Sequence, residues 1–210
     1  MELILKDKKA IIFDMDGVLV ESEGLWKQAE FEIFSSLGVS VTEKGSLLTR
    51  SMTTMEVTRF WYGQFPWKGK TFSEVEAMVI QRVMELIQSE DCVIKGVRAF
   101  IKKLKAEHYK IGLATNAPQK IIPTVLERTK TTELFDIVSS ADAEVKGKPH
   151  PAIYLNTAKK LKVKPWECAA IEDSPTGMEA AKVAGMTVIA YTKQHENKAF
   201  KWADHEIDRF

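Results

Sequence analysis

Two carboxylates separated by one residue end an apolar run near the start of this chain. The run is Ala10-Ile11-Ile12-Phe13, and Asp14-Met15-Asp16-Gly17 follows it directly. Its length and β-branched content predict a buried strand, which Gly17 ends. Because open α/β sheets bind their ligands beyond the carboxyl ends of the strands, the two carboxylates lie where a site is expected. Their crowded negative charge suits Mg²⁺, although an Asx turn on the surface is the structural alternative for an isolated motif of this kind.

Three more apolar runs with the pattern of strands each lead into a polar segment. Residues 109–114 precede Thr115-Asn116, residues 137–140 precede Lys146-Gly147-Lys148-Pro149-His150-Pro151, and residues 168–171 precede Glu172-Asp173-Ser174. Since the carboxyl ends of parallel strands share one edge of a sheet, we expect all these polar groups to converge in one crevice.

Each of these polar segments also has a simpler interpretation when it is taken alone. Asn116 is predicted to open a helix, whose terminal N–H groups would add affinity for an anion. Thr115 and Asn116 alone equally suit an ordinary helix cap, and Lys148 alone suits a solvated surface lysine. The convergence of the segments, rather than any single one, predicts a site.

The elements that must position these groups alternate in type along most of the chain. From about Val97 onward, helical stretches alternate with strands, as in a doubly wound parallel sheet with right-handed crossovers. Between the first strand and the run at 109–114, only helical spacing is present. The fold class is therefore predicted as α/β, a doubly wound, Rossmann-like core with an inserted all-α cap. We expect residues 1–19 and 87–210 in the core, residues 20–86 in the cap, and a short helix and a last edge element in the tail from 199 to 210.

The order of the motifs resembles that of a known family over most of the chain. Asp-x-Asp-Gly, Thr-Asn, Lys-Pro-x-Pro and Glu-Asp-Ser-x-x-Gly follow one another as in the haloacid dehalogenase superfamily of phosphohydrolases, from about Lys8 to Tyr191. The segment from Phe13 to Glu23 is similar to the branch that holds the β-phosphoglucomutases and small sugar-phosphate phosphatases. The aromatic residues Trp26, Trp61-Tyr62 and Trp67 look most like those of bacterial 2-deoxyglucose-6-phosphate and hexitol phosphatases.

This resemblance implies roles for the acidic residues. Asp14 would be the nucleophile that forms an aspartyl-phosphate, and Asp16 the general acid and then the general base. Mg²⁺ would be held by Asp14, by Asp16 through its backbone carbonyl, and by Asp173, with Glu172 as a further direct or outer partner.

The same resemblance implies roles for the donors around the phosphate. Lys148 would hold a phosphate oxygen and offset the charge of Asp14, while Thr115 and the backbone of Asn116 would donate hydrogen bonds. Glu21 stands where this branch usually has Asp, so its longer side chain would change a hydrogen bond to the substrate or to the hinge.

The implied function is a Mg²⁺-dependent phosphatase acting on small phosphorylated sugars or polyols. A β-phosphoglucomutase is the first alternative, but an ungapped placement puts Ser51 and Thr54 where such mutases carry Gly and a phosphate-holding Arg. Arg50 would substitute only if the loop shifted. A catalytically silent binding or regulatory protein is the alternative of another class, which the intact set Asp14, Asp16, Lys148 and Asp173 argues against.

The cap is the part of the chain whose function is hardest to predict. Its aromatic side chains could stack on a sugar, but aromatic residues at helical spacing more often pack the interior of a small domain. This set comprises Trp26, Trp61, Tyr62, Phe65 and Trp67.

Composition excludes several other classes of protein. The 30 basic and 29 acidic side chains nearly cancel, so no overall field favours nucleic acid. Cys92 and Cys168 are too few for a disulfide framework, which favours a reducing cytoplasm. The sequence has neither a long uncharged apolar segment nor a signal-peptide core. We therefore expect a cytoplasmic monomer whose partner is a small phosphorylated metabolite, with no membrane or nucleic-acid partner.

Overall fold

A computed structural model describes residues 2–49, 52–192 and 200–210 of the chain. It divides into two compact units, one formed by Met1–Glu21 with Cys92–Phe210 and the other by Ser22–Asp91. The second unit begins two residues after the predicted insertion and ends five residues after it. The later end arises because the last helix of this unit continues to Ser89.

The first unit is built on a sheet of six parallel strands. Their spatial order is β3-β2-β1-β4-β5-β6, so the chain adds strands on one side of β1 before it crosses to the other. The predicted doubly wound α/β core is confirmed by this order. The strands are β1 (Ala10–Phe13), β2 (Lys110–Thr115), β3 (Ile137–Ser140), β4 (Cys168–Glu172), β5 (Thr187–Tyr191) and β6 (His205–Ile207).

Helices flank this sheet, and side chains of the strands alternate between its two faces. Ala10 and Ile12 of β1 belong to one buried apolar cluster with Ile153 and Met178, which lie on two of the helices. Phe13 points the other way and its ring packs edge-on against Phe100, with centroids 6.2 Å apart. The helices of this unit are α1 (Glu2–Leu5), α6 (Val97–Ala106), α7 (Ile122–Thr129), α8 (Ala152–Lys160) and α9 (Pro175–Val183).

The second unit is entirely helical in the part that the structure describes. Two of its helices begin with capping boxes, in which a threonine and a glutamate satisfy each other's backbone N–H groups: Thr53 with Glu56, and Thr71 with Glu74. The helices are α2 (Glu23–Ser36), α3 (Glu43–Thr49), α4 (Thr54–Gln64) and α5 (Phe72–Ser89). The inserted all-α unit is thereby confirmed, and its action as a cap stays a prediction.

The aromatic residues of the helical unit form part of its interior. Trp61 is 1% exposed and Trp67 is 6% exposed. The ring centroid of Phe34 lies 6.3 Å from that of Trp61 and 6.1 Å from that of Trp67, and Tyr62 packs edge-on against Trp67. The packing interpretation of these rings is therefore confirmed for Trp61 and Trp67.

Two local predictions about the tail and one about the cysteines can be compared with the structure. Edge strand β6 is present, but residues 200–210 contain no helix, because the chain there turns directly into β6. Residue 199 lies outside the described residues. Cys92 and Cys168 are both buried and free. In the described part of the chain, no helix combines the length and apolarity needed to cross a membrane.

Candidate active site

Three of the predicted acidic residues meet at the carboxyl edge of the sheet, where the strand order reverses beside β1. Asp14 directly follows β1, and its N–H donates to the carbonyl of Ile171 in β4 at 3.0 Å. Because Phe13 pairs with Ile171 in register, Asp14 lies beside Glu172, the last residue of β4. Carboxylate oxygens of Asp14, Glu172 and Asp173 all lie within 4.8 Å of one another. This edge is where doubly wound sheets bind their ligands.

Strand alternation explains why these side chains face the same helices. Ile12 and Ala170 are partners in register, and both side chains belong to the apolar cluster of α8 and α9. Asp14 and Glu172 each lie two residues further along the chain. In an extended backbone, their side chains therefore point to the same face of the sheet as those of Ile12 and Ala170. The two carboxylates therefore lie next to the apolar cluster, at the carboxyl ends of β1 and β4.

Lys148 bridges the two buried carboxylates. Its ammonium donates to Asp14 Oδ1 at 2.6 Å, to Glu172 Oε1 at 2.6 Å and to the carbonyl oxygen of Ala114 at 2.8 Å. The Lys148 side chain is only 4% exposed. An ammonium has three N–H donors, so all of them have a protein acceptor in this arrangement. The solvated-lysine interpretation of Lys148 is thus wrong.

The electrostatics of the site show an excess of negative charge. Burial and the charge of Glu172 raise the pKa of Asp14 well above its ordinary value, and Lys148 only partly opposes them. Burial, Glu172 and Asp16 likewise raise the pKa of Asp173 to about 7. Burial alone would lower the pKa of Lys148, but Asp14 and Glu172 raise it overall. One ammonium is therefore not enough for the carboxylates gathered here.

Two glycines allow the acidic side chains to approach the backbone closely. Gly17 has φ +75°, and a Cβ at this position would lie 2.0 Å from Asp173 Oδ2. A Cβ on Gly177, in the first turn of α9, would lie 2.0 Å from Glu172 Oε1. The glycines of the first and last motifs thus leave the space that these carboxylates occupy.

Glu172 is held by several hydrogen bonds at the start of α9. Ser174 caps the helix by accepting the N–H of Gly177 at 3.1 Å, and its hydroxyl donates to Glu172 Oε2 at 3.2 Å. The hydroxyl of Tyr154 donates to Glu172 Oε1 at 2.5 Å. Burial and the charge of Glu172 raise the pKa of Tyr154, so that its hydroxyl stays protonated as a donor.

The Thr115-Asn116 segment has a different local structure from the one predicted. Asn116 does not open a helix: α7 begins only at Ile122, after a short turn of 3₁₀ helix at Gln119–Ile121. Instead, Thr115 Oγ1 accepts the N–H of Ala117 at 3.0 Å, which forms a tight turn. The helix-cap interpretation and the expected anion affinity of a helix start are therefore wrong here.

Asn116 connects this turn to the lysine segment. Its Oδ1 accepts the N–H of Lys148 at 2.9 Å, and its Nδ2 donates to the carbonyl oxygen of Lys148 at 3.3 Å. A Cβ on Gly147 would lie 2.8 Å from Asn116 Oδ1, so glycine permits this contact. The side chain of Asn116 fixes the backbone from which Lys148 reaches the carboxylates.

The remaining predicted residues have separate positions. Asp16 is half-buried and close enough to raise the pKa values of Asp14 and Asp173. Glu21 is exposed, its N–H donates to the carbonyl of Cys92 at 2.7 Å, and it is not one of the three clustered carboxylates. Tyr154 is the site residue that the sequence did not reveal, because it falls within the apolar stripe of α8.

A cavity of about 410 Å³ lies at the opposite, amino edge of the sheet. Several lysines line it, among them Lys110, whose ammonium donates to the carbonyl of Leu161 at 2.7 Å. Leu161 caps the carboxyl end of α8, where carbonyl groups favour a cation. The carboxyl end of α8 therefore accounts for the position of the Lys110 ammonium.

Comparisons with known proteins agree with the motifs and the fold. The sequence profile of the haloacid dehalogenase-like hydrolases matches residues 8–185. Hexitol phosphatase B of Escherichia coli (strain K12) is 38% identical over 181 residues, which cover 86% of this chain and 82% of the relative. The phosphorylated carbohydrates phosphatase of Thermotoga maritima is 33% identical over 187 residues, covering 85% of this chain and 82% of that protein.

Solved structures support the same assignment. The crystal structure of CbbY from Rhodobacter sphaeroides in complex with phosphate aligns with a TM-score of 0.82 and 26% identity, and covers 96% of this chain and 94% of that one. The fold, the order of the motifs and the sequence profile all indicate the same family over most of the chain. The chain therefore belongs to the haloacid dehalogenase-like hydrolase family, as a phosphoric monoester hydrolase.

Proposed function

We propose that this hydrolase is a Mg²⁺-dependent phosphatase of small phosphorylated sugars or polyols, with Asp14 as its nucleophile. The observation that carries the proposal is the bridge from Lys148 to Asp14 and Glu172, beside Asp173, at the carboxyl edge of the sheet. A nucleophilic carboxylate, further carboxylates for a cation and a buried ammonium are what attack on a phosphate monoester requires.

The residues present fit a divalent cation. Carboxylate oxygens are the ligands that Mg²⁺ prefers, and burial together with the negative charge of neighbouring carboxylates raises the pKa values of Asp14 and Asp173. The carboxylates of Asp14 and Asp173 and the backbone carbonyl of Asp16 would hold the ion, which leaves the Asp16 carboxyl to transfer protons. Glu172 suits an outer position, because Lys148, Tyr154 and Ser174 already donate to it. When bound, Mg²⁺ would keep Asp14 ionised and polarise the phosphoryl group.

The chain's own groups would then act in two steps. In the first, a carboxylate oxygen of Asp14 attacks phosphorus while the bond to the leaving oxygen breaks, and Asp16 gives that oxygen a proton. In the second, Asp16 takes a proton from water as the water oxygen attacks the aspartyl-phosphate. Phosphate leaves, and the carboxylate of Asp14 is restored.

Donors near the carboxylates would bind the phosphate during both steps. The hydroxyl of Thr115 accepts from Ala117 and retains its own proton for a phosphate oxygen. Lys148 would exchange one of its three protein acceptors for the phosphate, and the backbone N–H of Asn116 would add a further donor. We also assign Glu21 a hydrogen bond to the substrate.

The substrate class rests on the relatives, whose names specify hexitol phosphates and phosphorylated carbohydrates. A phosphosugar mutase would need a cation to hold a second phosphate. Thr54, at the position predicted for that cation, is 8% exposed within α4, which disfavours a long charged side chain there. Arg50 and Ser51 lie outside the described residues.

A single set of assays tests this function. Phosphate release is measured with sugar, polyol and nucleotide monophosphates, with Mg²⁺ and with excess chelator, for the wild-type protein and for Asp14→Asn. We expect release from sugar or polyol phosphates only with the metal, and a loss of at least roughly 10³-fold in Asp14→Asn. Normal turnover by folded Asp14→Asn protein would refute the role of Asp14 as the nucleophile. Full activity in chelator would refute the requirement for a metal ion.

The proposal extends to the working state of the enzyme. We propose a monomer in the cytoplasm, where two free, buried cysteines would stay reduced. Light scattering coupled to size-exclusion chromatography tests the monomer, and fractionation of the producing cells tests the compartment.

A further inference from the structure

Tyr154 contacts both members of the ion pair at the centre of the site. Its hydroxyl donates to Glu172 Oε1 at 2.5 Å, and the face of its ring lies 5.0 Å from Lys148 Nζ, measured to the ring centroid. The residue is fully buried, with 0% of its surface exposed. A single side chain on α8 thus touches the carboxylate through its polar end and the ammonium through its ring.

The hydroxyl of Tyr154 is not needed to fill space in the core. Tyr154 shares the buried stripe of α8 with Ile153 and Ala158, and a phenylalanine would fill nearly the same volume. The extra oxygen lies in the direction of Glu172, which is also 0% exposed and would otherwise be held by fewer donors. A buried carboxylate is costly unless donors surround it.

The geometry also links Tyr154 to the nucleophile. Lys148 and Tyr154 donate to the same oxygen of Glu172, and Lys148 donates in addition to Asp14 Oδ1. The position of Glu172 therefore decides where the ammonium of Lys148 lies relative to Asp14. A shift of Glu172 would be transmitted to the nucleophile through one lysine nitrogen.

We infer that Tyr154 is a positioning residue: its hydroxyl fixes Glu172, and through Glu172 it sets the placement of Lys148 on Asp14. This inference rests on the proposed function, in which Asp14 attacks the phosphoryl group. Tyr154 would thus act through Glu172 and Lys148, the two site residues that it contacts. Groups that orient the residues around a metal typically change affinity or activity by about 10- to 100-fold when they are removed.

The test compares Tyr154→Phe with a matched loss of another buried hydroxyl. Thr157 lies on the same helix, is also 0% exposed, and donates only within the helix, to the carbonyl of Ile153 at 2.7 Å. Thr157→Val therefore removes a buried hydroxyl from α8 without touching the site. We expect roughly a tenfold loss of kcat in Tyr154→Phe with KM changed less than about twofold, and no loss of kcat in Thr157→Val.

Two further measurements separate positioning from a general loss of packing. Calorimetric titration of substrate-free protein with Mg²⁺ should show weaker binding in Tyr154→Phe than in the wild type and in Thr157→Val. In a double-mutant cycle, Tyr154→Phe should have little further effect on kcat once Glu172→Gln is present, because both changes act on the same contact. Additive losses would show that Tyr154 acts by another route.

The outcomes distinguish this inference from the proposed function. If the wild-type protein releases no phosphate from any substrate, the proposed function fails, while the Mg²⁺ titration still tests Tyr154. If the wild type is active and Tyr154→Phe matches it in kcat and in Mg²⁺ affinity, the inference is overturned. Should Tyr154→Phe not fold, proton spectra provide the test: a far-downfield hydroxyl proton is expected in the wild type and should be lost in Glu172→Gln. Its absence from the wild type would overturn the inference.

Discussion

Lys148 is the residue on which the charge balance of the site depends. Its ammonium is buried between Asp14 and Glu172 and donates to both at 2.6 Å. Buried ion pairs gain little net stability, because desolvation offsets most of their attraction, whereas removing one partner leaves an uncompensated charge. The lysine therefore matters less as a source of stability than as the group that keeps the nucleophile in place when no cation is bound.

Asp16 differs from Asp14 in exposure, and this difference suits a group that must exchange protons. Asp14 is buried, whereas Asp16 is half-buried and so remains accessible to a leaving oxygen and to water. A proton donor is most important for a poor leaving group such as a sugar alkoxide.

We therefore predict that Asp16→Asn lowers turnover of a sugar phosphate by about 10²- to 10⁴-fold. An aryl phosphate, whose leaving group needs little protonation, should lose much less rate. Rapid-quench measurement of aspartyl-phosphate formation with both substrates checks this. Equal losses for the two substrates would mean that Asp16 is not the acid of the first step.

At the scale of elements, strand ends and helix starts position the site through close backbone contacts. The turn after β1 and the first turn of α9 both carry a glycine against a carboxylate. At Gly177 the neighbouring atom belongs to Glu172, whose side chain has no free space to retreat, since it is fully buried.

Gly177→Ala is predicted to displace Glu172 and so to lower kcat by about tenfold or more, with weaker Mg²⁺ binding. The matched control is Gly63→Ala in α4, where a Cβ would meet nothing within 4 Å. Steady-state kinetics and Mg²⁺ titration of both variants provide the comparison. If Gly177→Ala retains full activity, Glu172 does not need the position that the structure gives it.

The packing of the helical unit sets a second prediction at this scale. Trp61 lies between Phe34 and Gly45, where a Cβ on the glycine would be 2.1 Å from the indole ring. Trp61→Ala should therefore lower the free energy of unfolding by about 3–5 kcal/mol, as loss of a large buried side chain does. Phe31→Ala on α2 is the control, because Phe31 is 56% exposed. Urea unfolding measures the free energy of unfolding of both variants. If both lose a similarly small amount, the assignment of Trp61 to the core is contradicted.

The same elements show what the sequence could and could not predict. Strands β1, β2 and β4 were predictable because each is a short, mainly apolar run before a polar segment, as expected for parallel strands that are covered on both faces. Helix α3 was not predicted, since its Gly45 argues locally against a helix and is favoured only by the indole packed against it. Tyr154 was missed because helical spacing indicates a buried position but not which polar atom that position faces.

Across the described part of the molecule, the pKa values of three buried or half-buried carboxyl groups are raised. The pKa values of Asp14 and Asp173 are raised in the first unit, and burial alone raises the pKa of Glu30, on α2, from 4.5 to about 7. Each group binds its proton more tightly in the folded chain than in the unfolded chain. Its contribution to stability is therefore fully present below the unfolded pKa and is lost as the pH rises through the folded pKa.

Glu30→Gln isolates one of these contributions. Between about pH 4.5 and pH 7 the wild type should lose roughly 1–3 kcal/mol of stability through Glu30, and the neutral amide should remove this part of the slope. Urea unfolding of the variant and the wild type at several pH values measures it as the difference between them, in which the shared contributions of Asp14 and Asp173 cancel. Glu32→Gln on the same helix is the control. Hydrogen bonds from Arg82 and Gln28 lower the pKa of Glu32, so removing this carboxylate should not increase the stability at pH 8. A Glu30→Gln protein whose stability at pH 8 does not exceed that of the wild type would show that the carboxylate of Glu30 is solvated in the folded chain.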